Sequence, residues 1–519
     1  MKRTFYLLIV ICIVFFAACK SSKKNNPSPS GPGTTGSTLD KIKDSVYLYA
    51  KEDYLWYNQL PAYTDFNPRS FTGGDDITAL TNELNALSQY AINPTTNQPY
   101  EYYIPDPGEA KYSFIDDGAV SAELNGNRGD FGLGVNFYQN VNDLRITYVY
   151  PGSPADLAHI KRGYLVTSVN NSTNISYDGA NGTNIAFLNN AFFNSNTISL
   201  TLQKPDGSTL TVNNMSIASY TVNPVLKDTI ITTANGHKVG YVVFNSFTSD
   251  DNADPQLNPV FANFANANIT DLVVDLRYNG GGYVSTAEHI DNLIVPAAKT
   301  NTLMYNTYYN DVLSANKEVL LKNQWRNDPQ FGDYNYGPDY ISYATADNVV
   351  NFAKSGSLNV GRVFFIITGA TASASELTIN NLRPVMDVQM IGEQSYGKPV
   401  GFFDININKY TMYTPEFYTQ NSAGQGGYYT GFTPGSNGYA GVTADDDLSK
   451  DFGDPTEGLF SRALNYVNTG TYSVKTQTVQ SVNPKYRSLS LAERVAVAKK
   501  FNSHQFTGMI AHKKRKLKR

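Results

Sequence analysis

Cysteine is almost absent from this 519-residue chain, and the two that occur, Cys12 and Cys19, both fall within the first twenty positions. No disulfide framework and no thiolate metal site can be built from the rest, whatever the redox state of the compartment. Histidine is nearly as sparse. His159, His237, His289, His504 and His512 are scattered and contain no H-E-x-x-H pair, which disfavours a zinc hydrolase. Charged residues make up 17% of the chain and the net charge is −4, so there is no global basic field for nucleic acid. No G-x-x-x-x-G-K-[ST] is present, and no G-x-G-x-x-G follows a strand. Neither a nucleotide nor any other cofactor or metal is expected. No serine sits in a G-x-S-x-G elbow, and the S-x-x-K at Ser314 to Lys317 has no K-T-G partner. What is abundant is aromatic and apolar: 37 Tyr, 27 Phe, and 41% hydrophobic residues overall. That composition describes a folded, strand-rich protein with enough chain for two or three domains.

Long apolar runs are also scarce. The one at Leu7 to Ala18 follows a basic start (Lys2, Arg3) and is too short to span a bilayer comfortably, so a cleaved secretory signal is expected over residues 1–18. It ends Phe16-Ala17-Ala18-Cys19, which resembles a bacterial lipobox with Phe16 in place of the commoner Leu. Cys19 would then become the lipidated first residue. The polar Ser/Pro/Gly stretch completing residues 19–38 reads as a flexible tether. The expectation is a cell-envelope protein, lipid-anchored to a bacterial membrane, the outer one, and facing periplasm or surface.

Three folded regions follow. Residues 39–111 carry apolar positions at helical spacing (Leu39, Ile42, Val46, Tyr49; Leu80, Leu84, Leu87), which predicts a small N-terminal helical domain with Trp56 in its core. Residues 112–219 change to short strands with Gly and Asn turns. Their order resembles a PDZ domain: Phe131-Gly132-Leu133-Gly134-Val135, then Leu144 to Val149, then Pro151-Gly152-Ser153-Pro154-Ala155. That resemblance makes Gly132, Leu133 and Gly134 the candidate loop for a peptide carboxylate, because such modules add a peptide tail as a strand and donate backbone N–H groups to its end. The module departs from the common G-D-x-I where Arg162-Gly163-Tyr164-Leu165 carries Tyr164 instead of the acid. Residues 220–469 alternate buried-strand and helix patterns. The remainder, 470–519, is polar and ends in a basic run, which reads as a solvated tail.

The chemistry concentrates in 363–401. An apolar run, Phe364 to Ile367, reads as a buried strand closed by Gly369, and Glu376, Leu377, Ile379 and Leu382 follow at helical spacing. Ser373 therefore falls in a strand-to-helix turn, where free N–H groups and the helix dipole favour a developing oxyanion. A second strand, Val388 to Ile391, leads to Gly392, and Lys398 stands just beyond. A serine becomes a nucleophile only when a base takes its proton, and a lysine serves only when neutral, which burial can impose. Read by composition alone, Ser373 and Ser375 are helix-start residues and Lys398 is a solvated loop cation.

Ser373-Ala374-Ser375-Glu376 followed by Gly392-Glu393-Gln394-Ser395-Tyr396-Gly397-Lys398, with Asp275-Leu276-Arg277-Tyr278-Asn279-Gly280-Gly281-Gly282 upstream, resembles the C-terminal processing peptidases, the tail-specific serine proteases with a Ser/Lys dyad and a PDZ domain. The resemblance covers roughly 112–469. It implies an α/β multidomain protein with an α/β protease core of the crotonase/ClpP-like type. By the same resemblance Ser373 is the nucleophile, Lys398 the general base, and the N–H groups of Gly281 and Ala374 the oxyanion donors. The substrates would be proteins whose apolar C-terminal tails the PDZ module captures. Ser373 Oγ and Lys398 Nζ should then lie near hydrogen-bonding range, about 2.6–3.2 Å or somewhat looser at rest. One departure keeps a second reading open: many relatives carry a Gln four residues past the lysine to orient the amine, and here that position is Phe402. The alternative is a peptide-binding scaffold lipoprotein of weak or lost activity on the same fold.

Overall fold

The computed structural model of the protein describes residues 31–328, 332–473, 486–502 and 506–511. The signal and lipidation segment, Cys19 included, and the basic run from 512 onward lie outside them.

The first helix, α1 (Thr38–Asp53), starts where Ser37 Oγ accepts from Asp40 N and the Asp40 carboxylate answers to Ser37 N, a reciprocal cap that satisfies two otherwise orphaned donors. Its Ile42, Val46 and Tyr49 meet Leu80 and Leu84 of α2 (Asp76–Ser88) as their spacing predicts. The same cluster contains Tyr336, Tyr343, Phe403, Ile405 and Met412. Residues 39–111 therefore close their apolar faces against the later chain and not in a core of their own. Trp56 is buried and stacks on Tyr100 at 4.2 Å between ring centroids.

A five-stranded antiparallel sheet comes next, in spatial order β1 (Leu133–Phe137), β2 (Leu144–Val149), β3 (Leu165–Val169), β4 (Thr197–Gln203) and β5 (Thr209–Ser216), with helix α3 (Thr183–Phe193) between β3 and β4 in sequence. Val135, Phe137, Ile146, Val166 and Leu200 form its core with Ile185 and Leu188 of α3. Phe114–Asp116, expected to open this module, pairs instead with Tyr410–Tyr413 of the larger domain. That displaces the module's start to the lead-in strand Asn127–Asp130, which pairs with Ala218–Thr221.

The larger domain is built on β6 (Val225–Thr232), β7 (Lys238–Phe244), helix α4 (Asp250–Asn266), β8 (Asp271–Asp275), the short β9 (Gly281–Tyr283), helix α5 (Val284–Ile294), β10 (Arg362–Ile367), helix α6 (Ala374–Leu382), β11 (Asp387–Gly392), β12 (Gly441–Thr443) and helix α7 (Gly458–Thr469). Its six-stranded sheet runs β6-β7-β8-β10-β11-β12, parallel from β7 onward, with β6 antiparallel at one edge. Parallel strands covered on both faces read as unbroken apolar runs, and the alternation of side chains explains why. Val242, Phe244, Val274 and Phe365 point at α4, α5 and α6; Tyr241, Val243, Val273, Phe364 and Ile366 point at Leu459, Phe460 and Ala463 of α7. Each such Phe or Ile side chain stabilises the fold by about 1.5–3 kcal/mol on burial.

The region read as a solvated tail is otherwise. Residues 491–502 form helix α8 (Leu491–Asn502), which packs on the five-stranded sheet through Val497 and Phe501, and β13 (Gly508–Ile510) pairs with β9. Sparse but well-placed apolar residues, Leu489, Val497, Phe501, Phe506, Met509 and Ile510, all buried, account for the docking that overall polarity conceals. Among the described residues no helix is long and apolar enough to cross a membrane.

Candidate active site

The turn between β10 and α6 is tied down before it reaches Ser373. Asn279, at the end of the β8 turn, donates from Nδ2 to Phe244 O (2.8 Å) and accepts at its own carbonyl from Ala372 N (3.0 Å) and Ser375 Oγ (3.0 Å). So fixed, Ser373 adopts φ 57° and ψ −105°, on the left-handed side that costs a non-glycine residue about 1–3 kcal/mol. It is fully buried, and its Oγ has no hydrogen-bond partner. Strain and an unsatisfied hydroxyl at a helix start mark a position held for chemistry over stability.

Glu376 joins the two halves of the site. Its Oε2 accepts from Ser373 N (2.9 Å) and from Lys398 N (2.8 Å); its Oε1 accepts from Gly397 N (2.8 Å) and Ser395 Oγ (2.5 Å). One carboxylate thus sets the serine turn and the lysine loop side by side. Burial pushes its carboxyl up from the ordinary range while these donors pull the other way. The role is visible only in three dimensions, although Glu376 stood in the quoted motif. Asn279 was missed in the same way.

Lys398 is fully buried, with its amine 3.9 Å from the centroid of the Phe402 ring. Burial drives its ammonium well below the usual lysine range; Glu101 opposes this and Lys111 adds to it. Lys111, itself lowered to about 8 by burial, donates from Nζ to Gly397 O (3.0 Å) and Tyr429 O (3.1 Å) beside the lysine loop. The amine of Lys398 donates to Thr507 O (2.5 Å) and Tyr112 O (3.4 Å). Among the described residues the direct hydrogen bond expected between Lys398 Nζ and Ser373 Oγ is not formed; the amine's bonds go to backbone carbonyls, one of them next to β13.

Gly281 and Ala374 do come together: a Cβ built on Gly281 would stand 3.0 Å from Ala374 N and 2.2 Å from Gly508 O, so only glycine fits, at φ 107°. Gly281 N–H, expected as an oxyanion donor, already donates to Asn279 Oδ1 (2.8 Å). Ala374 N–H, the first of α6, has no acceptor within its own helix and is the donor the geometry leaves.

Gly132, Leu133 and Gly134 lie on the five-stranded sheet, apart from this cluster. Gly132 N–H donates to Asp130 Oδ1 (2.8 Å), and Leu133 and Gly134 pair with Val149 and Tyr148. A cavity of about 280 Å³ is lined by Val135 and Phe137 of β1 together with Gly280, Ala370 and Thr507. Asp275 and Arg277 form a fully buried ion pair (2.7 Å); Arg277 also binds Asp446 and Glu457. Asp446 further engages Arg162 (3.0 Å), joining the smaller module to the larger domain.

Residues 238–434 match the model of peptidase family S41. The matched part contains Gly281, Ser373, Ala374, Glu376 and Lys398, whereas Glu101, Lys111, Tyr112, Thr507 and Gly508 lie outside it. The chain is 24% identical over 284 residues to a carboxyl-terminal-processing protease of Picosynechococcus, a match covering 54% of this chain and 56% of that protein, so little more than half of either length is compared. Its fold is shared with a crystal structure from Bacteroides fragilis assigned to the S41 proteases, at TM-score 0.54 and 23% identity over 85% of this chain and 99% of that one.

Proposed function

We propose that this chain is a serine endopeptidase of the C-terminal-processing type. Ser373 Oγ attacks the scissile carbonyl carbon, the neutral Lys398 amine takes the hydroxyl proton and passes it to the leaving amine, and Ala374 N–H receives the oxyanion. Water then hydrolyses the acyl-enzyme. The observation that carries the reading is that Glu376 Oε2 accepts from the backbone N–H groups of both Ser373 and Lys398, which ties the turn of the unpartnered hydroxyl to the loop of the buried amine. The five-stranded module acts in the PDZ manner. Its edge strand β1 takes an apolar protein tail by strand addition, and the cavity leads that tail to Gly280. Anchoring by lipid at Cys19 would hold the enzyme at an envelope membrane.

A second reading, a peptide holder without turnover, is favoured by Phe402 under the amine and by the amine's bond to Thr507 O. Incubation with an unstructured protein separates the two. Cleavage by the unaltered chain that disappears in both Ser373→Ala and Lys398→Ala is the expected result. Cleavage surviving in both removes the mechanism, and absence of cleavage in every form favours the holder.

A further inference from the structure

Residues 486–502 and 506–511 run along the path just assigned to a substrate. At one end Val141 N donates to Arg487 O (3.2 Å) and Leu489 N to Gln139 O (3.2 Å), a bridge between Ser488 and Asn140 in the turn after β1. Helix α8 then covers the module, with Phe501 stacked on Phe137 at 6.4 Å and Arg494 paired to Asp445 of the larger domain at 2.7 Å. At the other end β13 adds in parallel to β9, with Gly508 opposite Gly281 and Gly508 N donating to Gly280 O (3.0 Å). Its far edge is taken as well: Phe402 N donates to Met509 O and Ala511 N to Phe402 O, both 2.9 Å. Thr507 O holds the Lys398 amine, and Gly508 O lies against Gly281 next to Ala374 N.

We infer that β13 occupies the peptide slot of the active site in cis, as a substrate-like strand, and that a protein substrate gains Ser373 only when this strand leaves. The inference rests on the peptidase reading for its functional sense. A strand with a purely architectural role has no need to present a carbonyl to the buried Lys398 amine. The occupant also reports the slot's chemistry. Opposite Gly281 the slot favours a small residue, since a Cβ on Gly508 would meet the Phe402 ring at 2.9 Å. Beyond it Met509 enters the cluster under the parallel sheet, and Ile510 enters the one around Trp56 and Phe402. The substrate class is therefore an extended segment with a small residue followed by two apolar residues that face opposite ways.

The test uses the full chain with Ser373→Cys, read as the rate of N-ethylmaleimide labelling at position 373 by peptide mass, which needs no catalysis. Gly508→Val expels β13 through its new side chain; Phe501→Asp releases α8 from the other end and serves if the first variant does not fold, as judged by thermal unfolding. Labelling should rise about tenfold in a folded variant, the loss of an occupant present most of the time. With Ser373 intact, the same changes should raise cleavage of an unstructured protein by a similar factor. Labelling within twofold of the parent in a folded variant overturns the inference, even if the parent cleaves. Labelling that rises with no cleavage by any form upholds the occupancy and sinks the peptidase reading instead.

Discussion

A serine at φ 57° inside a protein interior is kept there by its neighbours, and Glu376 supplies most of the restraint. Removing the carboxylate would orphan three buried backbone donors, at Ser373, Gly397 and Lys398. Glu376→Ala should therefore lower stability by about 3 kcal/mol or more, read as a shifted urea midpoint at constant slope. The amine is the other residue-scale question. Phe402 packs against it, and in the proposed mechanism the neutral form is the active one. Phe402→Ala admits solvent, raises the lysine's pKa, and should move the acid limb of the kcat/KM profile upward by about one pH unit. A limb that stays in place would mean that Phe402 has no part in keeping the amine uncharged. Lys111, held near 8 against the ordinary 10.5, binds fewer protons folded than unfolded between those values. It makes stability rise with pH across that window, and Lys111→Met should flatten that rise in a series of thermal melts.

Among elements, the 445–457 loop does what neither the β-module nor the sheet could do alone. Arg162 from the module and Arg277 from the end of β8 converge on Asp446. Burial works to raise that carboxyl, but the two guanidinium groups and the Tyr278 hydroxyl outweigh it and bring it down to about 2. Its stabilising contribution is complete above about 4, the unfolded value, and is lost as pH falls toward 2. Asp446→Asn should cost about 3–5 kcal/mol at neutral pH by leaving two buried cations short of a partner, and should shrink the stability lost between pH 4 and 2. Equal acid sensitivity in variant and parent would show that the loop's charge is not what fastens the module.

At the scale of the whole molecule, apolar clusters cross the boundaries that composition suggests. The helices of residues 39–111 share one core with Phe403, Ile405 and Met412 and another with Tyr283, Val400 and Phe402. Expressed alone, that segment should show no cooperative thermal transition by circular dichroism, and a sharp melt would refute the shared core. The chain also returns late to the Ser373–Lys398 region: β13 pairs with β9 on one side and bridges Phe402 on the other.

Local chemistry was enough to determine the elements that carry the peptidase signature. The Phe364–Ile367 run had to be a strand buried on both faces, Gly369 ended it, and Ser373 fell in the turn before α6, because hydrophobic period and turn residues act over a few positions. Contacts between distant parts of the chain had to be decided by the folded structure. The sequence could not tell that the Lys398 amine would bond Thr507 O instead of Ser373 Oγ, that Asn279 would already hold Gly281 N–H, or that Glu376 would join both halves. Nor could it tell that a polar-looking stretch near position 500 would dock through six buried apolar side chains, since a short apolar set on a charged background carries no period strong enough to read. Such pairings are set by which surfaces meet after the sheet is formed, and burial then alters the very charges on which the proposed chemistry depends.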